Sequence, residues 1–99
     1  MARLVLAAGA EADLDRLYEF LAAEDPVAAD AVADLILEGI SVLERHPLIG
    51  RSAGEALREL VISRGRSGYV ALYQYFEAED VVMVVALKHQ REAGYLEER

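Results

Sequence analysis

An apolar run from Val81 ends at Leu87, and Lys88, His89, Gln90 and Arg91 follow it without a break, with Tyr95 shortly beyond. An imidazole titrates near neutrality and can move a proton, Lys and Arg can offset developing negative charge, and a phenol can donate. Arg58, inside an earlier apolar run, adds another cation, and with Arg64 and Arg66 on the next turn it can form a basic patch. A salt bridge from Arg58 to Glu59 or to a helix acid is the plainer arrangement. The cluster therefore has three readings: an active site, a docking surface for another macromolecule, or a solvated strand end whose cations offset excess acid. With His46 as the other imidazole and no cysteine, neither a metal nor another cofactor is expected.

Several elements must position these residues. Arg3 to Ala7 (RLVLA) is β-compatible and stops before Gly9, so it reads as a strand. From Ala10 to Ala22, Leu14, Leu17, Tyr18 and Leu21 fall on one helical stripe, and Glu11, Asp13, Asp15, Arg16 and Glu19 lie mostly away from it. Asp25 before Pro26 marks a second helix start, because the carboxylate can accept from free amides of the first turn and Pro has no amide to leave unpaired. Val32, Leu35, Ile36, Ile40 and Leu43 carry that helix to about Arg45, where His46-Pro47 ends it. The short connection predicts an antiparallel helical hairpin.

PLIGRSAGEA, from Pro47, shows no periodicity and reads as an ordered crossover loop. Leu57 to Ile62, Tyr69 to Phe76 and Val81 to Leu87 then read as strands of a meander, joined at SRGRSG and EAED. SRGRSG lacks the strand-to-helix setting of a phosphate cradle and is a hairpin turn. Tyr69, Ala71, Tyr73 and Tyr75 share one face of their strand; such a stripe can line an interface or stack bases, or lie half-buried on the sheet. The last run, apolar on both faces, fits a central strand. Residues 92–99 are expected to form a last helical turn or a frayed tail from which Tyr95 and Leu96 pack back or meet a partner. The order β-α-α-β-β-β predicts a single α+β domain over residues 1–99, with the hairpin packed on a mainly antiparallel sheet.

Composition narrows the function classes. A 55% hydrophobic and 28% charged composition describes a folding chain, and the absence of cysteine suits a reducing cytoplasm. No run approaches the length of a membrane helix. The net charge of −8 argues against strong direct nucleic-acid binding, which is made chiefly by Lys and Arg, and favours protein partners. Ten acids up to Pro47 face only Arg3, Arg16 and Arg45, so any anion-directed surface belongs to the later, nearly neutral half. The acidic hairpin is a solvated face or, less simply, a polyanion mimic.

The succession of LERHPLIGR, LREL, YVALYQY and VVMVVALKHQRE resembles the ParE/RelE superfamily of toxins from bacterial type II toxin–antitoxin systems, in order and over nearly the whole chain. The resemblance implies one of two activities. RelE-like members cut messenger RNA in the ribosomal A site; here His89 would serve as base, Arg58, Lys88 and Arg91 as cations for the phosphorane, and Tyr95 as acid. ParE-like members poison DNA gyrase and lack that set, in which case Arg58, Lys88, His89, Arg91 and Tyr95 become target-binding candidates. A charge of −8 opposes docking among ribosomal phosphates and favours the ParE branch. The resemblance also implies neutralisation in a hetero-oligomer with a ParD-like, ribbon-helix-helix antitoxin, for which Leu14, Leu17, Tyr18, Leu21, Tyr69, Tyr73 and Tyr75 are the expected contacts. A non-toxic module that retains only antitoxin pairing is the third alternative.

Overall fold

A computed structural model describes residues 1–64 and 67–95, the side chains of Arg64 and Ser67 excepted. Arg66, the expected Arg64 patch and the tail from Leu96 therefore lie outside the described residues. The elements are β1 (Arg3–Leu6), α1 (Ala8–Ala22), α2 (Pro26–Ser41) with a 3₁₀ turn at Val42–Glu44, β2 (Arg51–Ser52), β3 (Leu57–Arg64), β4 (Ser67–Phe76) and β5 (Val81–His89). One sheet has the order β1-β5-β4-β3-β2, with β1 parallel to β5 and the other neighbours antiparallel. The expected α+β fold of an N-terminal strand and a helical hairpin on a mainly antiparallel sheet is the observed one.

Local chemistry explains most boundaries. Asp25 Oδ1 accepts from the Ala28 amide at 3.1 Å and Pro26 opens α2, as the dipeptide predicts. The helix stops at Ser41, earlier than Arg45, because its last residues tighten into the 3₁₀ turn. α1 starts at Ala8, two residues ahead of the expected Ala10 and directly after the segment read as a strand, and no side chain caps it. The crossover holds an unexpected strand, β2, whose Arg51 and Ser52 pair with Glu59 and Arg58. Two residues offer no alternation to detect, so backbone pairing alone makes this strand.

Between helices and sheet lies a core in which Ile36, Ile40, Leu43, Tyr73, Val82, Val84 and Leu87 are fully enclosed. Burying each aliphatic side chain stabilises the fold by about 1.5–3 kcal/mol before ordering costs. β5 presents Val82 and Val84 to the helices, but Val85 has no partner in the ladder, since Leu72 pairs with Ala86 and Tyr73 with Val84. This bulge reverses the alternation. Beyond it Leu87 and His89 face the helices, whereas Ala86 and Lys88 turn to the other side, opposite Leu72 and Val70.

Asp13 corrects the reading of α1. Expected on the solvated face, it is completely buried, and its Oδ2 accepts from the Leu87 amide at 2.8 Å. Parallel pairing with β1 ends at Leu6↔Val84, so the edge of β5 beyond that point needs another acceptor, which α1 supplies.

Candidate functional site

The candidate residues divide among three places. His89 lies on the helix side, its ring edge-on to Tyr69 with centroids 5.1 Å apart. Its Nδ1 accepts from the Arg91 amide at 3.1 Å, which puts the proton of the neutral ring on Nε2. The His89 amide donates to Glu92 Oε1 at 2.8 Å, and Glu92 Oε2 accepts from Arg16 Nη1 at 2.9 Å. Leu17, Phe20 and Leu21 of α1 face Tyr69, His89 and Arg91 across a groove of about 700 Å³.

The opposite face carries Lys88 and Tyr95. The Lys88 ammonium lies 5.5 Å from the Tyr95 ring centroid, within cation–π range, and donates to the Glu92 carbonyl at 3.2 Å. The Tyr95 hydroxyl donates to Glu59 Oε2 at 2.7 Å, and Arg51 Nε meets Glu59 Oε1 at 3.1 Å. Burial first, and then the bond to Glu59, push the Tyr95 phenol far above its usual range. The Tyr95 hydrogen bond, followed by Arg51, holds the Glu59 carboxyl below its ordinary value against the opposing effect of burial.

Arg58 shares the helix-side face with His89, a question the sequence could not decide, but it pairs with Tyr73 whereas His89 pairs with Tyr69. Four residues of strand separate these positions by roughly 13 Å along the chain direction alone. Arg58 Nη1 donates to the carbonyls of Leu48 (3.2 Å) and Gly50 (2.8 Å), so it anchors the crossover rather than joining the other cations. The proposed base, cations and acid therefore do not converge on one point.

Burial also revises the expected antitoxin contacts. Leu17, Tyr69 and Tyr73 belong to the core, and Leu14 and Tyr75 pack against it. The Tyr73 hydroxyl accepts from the Gly50 amide at 2.8 Å inside the protein. Tyr18 and Leu21 keep part of their surface; the Tyr18 hydroxyl donates to Asp30 Oδ1 at 2.8 Å. The sequence reading missed Phe20, 80% exposed, and Leu48 and Ile49, both more than half exposed. Phe20 sits beside the apolar stripe, where a large aromatic in a polar position is the signal to notice. Among the described residues no group of His, Asp or Glu is placed to hold a metal ion, and no helix is long and apolar enough to cross a membrane.

This fold is shared with solved toxin–antitoxin structures. A chain of the chromosomal ParDE system from P. aeruginosa superposes with a TM-score of 0.74 at 22% identity, over 90% of this chain and 96% of that one. The intact E. coli RelBE toxin–antitoxin complex gives a TM-score of 0.67 at 16% identity, over 93% of this chain and 100% of the other. In sequence, the chain is 36% identical to Toxin RelE3 of Caulobacter vibrioides over 84% of its own length and 88% of that protein. The family described as ParE toxin of type II toxin-antitoxin system, parDE, matches residues 4–94. The chain belongs to this family, within the ParE/RelE superfamily, and is the toxin component of a type II toxin–antitoxin system.

Proposed function

We propose that this toxin acts by binding, poisoning DNA gyrase in the cytoplasm, and that a ParD-like antitoxin neutralises it. The observation that carries the reading is the dispersal of the RNA-cutting set. His89 and Arg91 lie on one face, Lys88 and Tyr95 on the other, and Arg58 is committed to two backbone carbonyls. Cleavage through the 2′-hydroxyl requires a base, an acid and a charge-stabilising group around one phosphodiester. Tyr95 is also a weaker acid than a free phenol, because burial and the Glu59 carboxylate both oppose its ionisation. The net charge of −8 and the match to the ParE family support the same choice. On this reading Lys88, Tyr95 and the neighbouring Arg51 form the target-facing surface.

The competing activity, ribosome-dependent RNA cleavage, draws its support from the RelE name of the curated relative. Two assays separate the readings. Purified gyrase with supercoiled DNA should accumulate cleaved DNA when the protein is added, and primer extension on translating ribosomes should show no codon-register cuts. Cuts abolished by His89→Ala would reverse the proposal.

A further inference from the structure

Pairing with β1 leaves β5 at Val84, and charged side chains take over the edge beyond it. Asp13 and Arg16, one helical turn apart on α1, run along that edge. Asp13 Oδ2 accepts from the Leu87 amide, Asp13 Oδ1 lies 3.6 Å from Arg16 Nη2, and Arg16 Nη1 donates to Glu92 Oε2 at 2.9 Å. Glu92 Oε1 in turn accepts from the His89 amide at 2.8 Å. Acid, base and acid thus stand where a neighbouring strand would supply acceptors.

Glu92 also reaches the other face of the sheet. Its carbonyl accepts from Lys88 Nζ at 3.2 Å, and its amide donates to the His89 carbonyl at 3.0 Å, which closes the turn. The Gln90 amide, donating to the Gly68 carbonyl at 2.9 Å, fixes where the turn begins; Glu92 fixes where it ends. Tyr95, three residues on, departs from that point to stand by Lys88 and reach Glu59. An ammonium on a flexible four-carbon stem keeps one position only when something holds it. Here the holding carbonyl is fixed by a carboxylate whose cation, Arg16, lies on the helix side among Leu17 and Phe20.

We propose that Arg16 and Glu92 are positioning residues that set Lys88 and Tyr95 on the target-facing surface from the opposite side of the sheet. The proposal rests on the gyrase reading for the use of that surface and adds what fixes its geometry. Without Arg16 the end of the turn loosens, Lys88 and Tyr95 disperse, and the target must bear the cost of ordering them.

Two measurements test it, both below the unfolding midpoint of every variant. Proton NMR of the toxin alone reads the coupling. Nuclear Overhauser contacts between the Lys88 ε-methylene and the Tyr95 ring should be present in the wild type, lost in Arg16→Ala and Glu92→Gln, and largely retained in Arg16→Lys. The gyrase assay reads the consequence. The toxin concentration for half-maximal DNA cleavage should rise about three- to tenfold in Arg16→Ala, with the maximal extent unchanged. Arg16→Ala combined with Lys88→Ala should be no worse than Lys88→Ala alone, because both act through one contact. Phe20→Ala, on the same helix and 80% exposed, should match the wild type. Contacts that survive in Arg16→Ala, or losses that add in the double variant, would overturn the coupling and leave the gyrase reading in place. If the wild type yields no cleaved DNA, the gyrase reading falls instead, and the NMR contacts still decide whether Arg16 holds Lys88.

Discussion

Asp13 ties α1 to the sheet through a single carboxylate oxygen. Removing it leaves the Leu87 amide buried without an acceptor, so Asp13→Ala should lower stability by about 1–3 kcal/mol in urea titration. Asp13→Asn, which retains an acceptor oxygen, should recover part of that loss. Helical periodicity could not have found this residue, because it sorts residues by type and assigns any acid to the solvated side. Tyr95 and Glu59 give a second residue-scale prediction. The folded pKa of Glu59 lies below its ordinary 4.5, so its contribution is complete above that value and is lost as pH falls through the folded one. Tyr95 is raised above 10.0, so its contribution is complete below 10.0 and is lost as pH rises through the folded value. Tyr95→Phe should therefore cost most stability near neutrality, with thermal midpoints of variant and wild type converging in acid. A constant difference from acid to neutral pH would exclude the Glu59 contact as its source.

At the scale of elements, the crossover between α2 and β3 is held by backbone partners rather than by apolar packing. Arg58 donates to the Leu48 and Gly50 carbonyls, and the Gly50 amide donates to the buried Tyr73 hydroxyl. A Cβ at Gly50 would stand 2.6 Å from that hydroxyl and 2.7 Å from the Glu59 carbonyl. Gly50→Ala should accordingly destabilise the protein by about 1–3 kcal/mol, as overpacking does, and urea unfolding measures the loss. Gly50-Arg51 helped to reveal the superfamily, yet the reason for the glycine emerges only when Tyr73 and Glu59 arrive from distant parts of the chain. α2, by contrast, was legible from Asp25-Pro26 and its aliphatic spacing, because its start and its buried face are both local.

Across the whole molecule, the acidic half folds into the helical hairpin, and the nearly neutral half supplies most of the sheet. Like charges crowded on one layer repel one another, and added salt screens that repulsion over about 10 Å at 0.1 M. Raising ionic strength should therefore raise the thermal midpoint. A fall would mean that the Arg16–Glu92 and Arg51–Glu59 pairs outweigh the repulsion. Layer order was readable in advance because it follows from which stripes are apolar, and these must meet. The distribution of Lys88, His89, Arg91 and Tyr95 over two faces was not, since it turns on the unpaired Val85.

Loss of the Val85 codon would set Ala86 directly after Val84, opposite Leu72 and Tyr73, and close the ladder without changing the face of any later residue. Loss of the Ala86 codon as well would turn Lys88 in beneath α1 and deliver His89 to the face where Tyr95 and Glu59 meet. The last strand thus carries one residue of slack: a three-base deletion is absorbed there, and a six-base deletion exchanges what its two faces display.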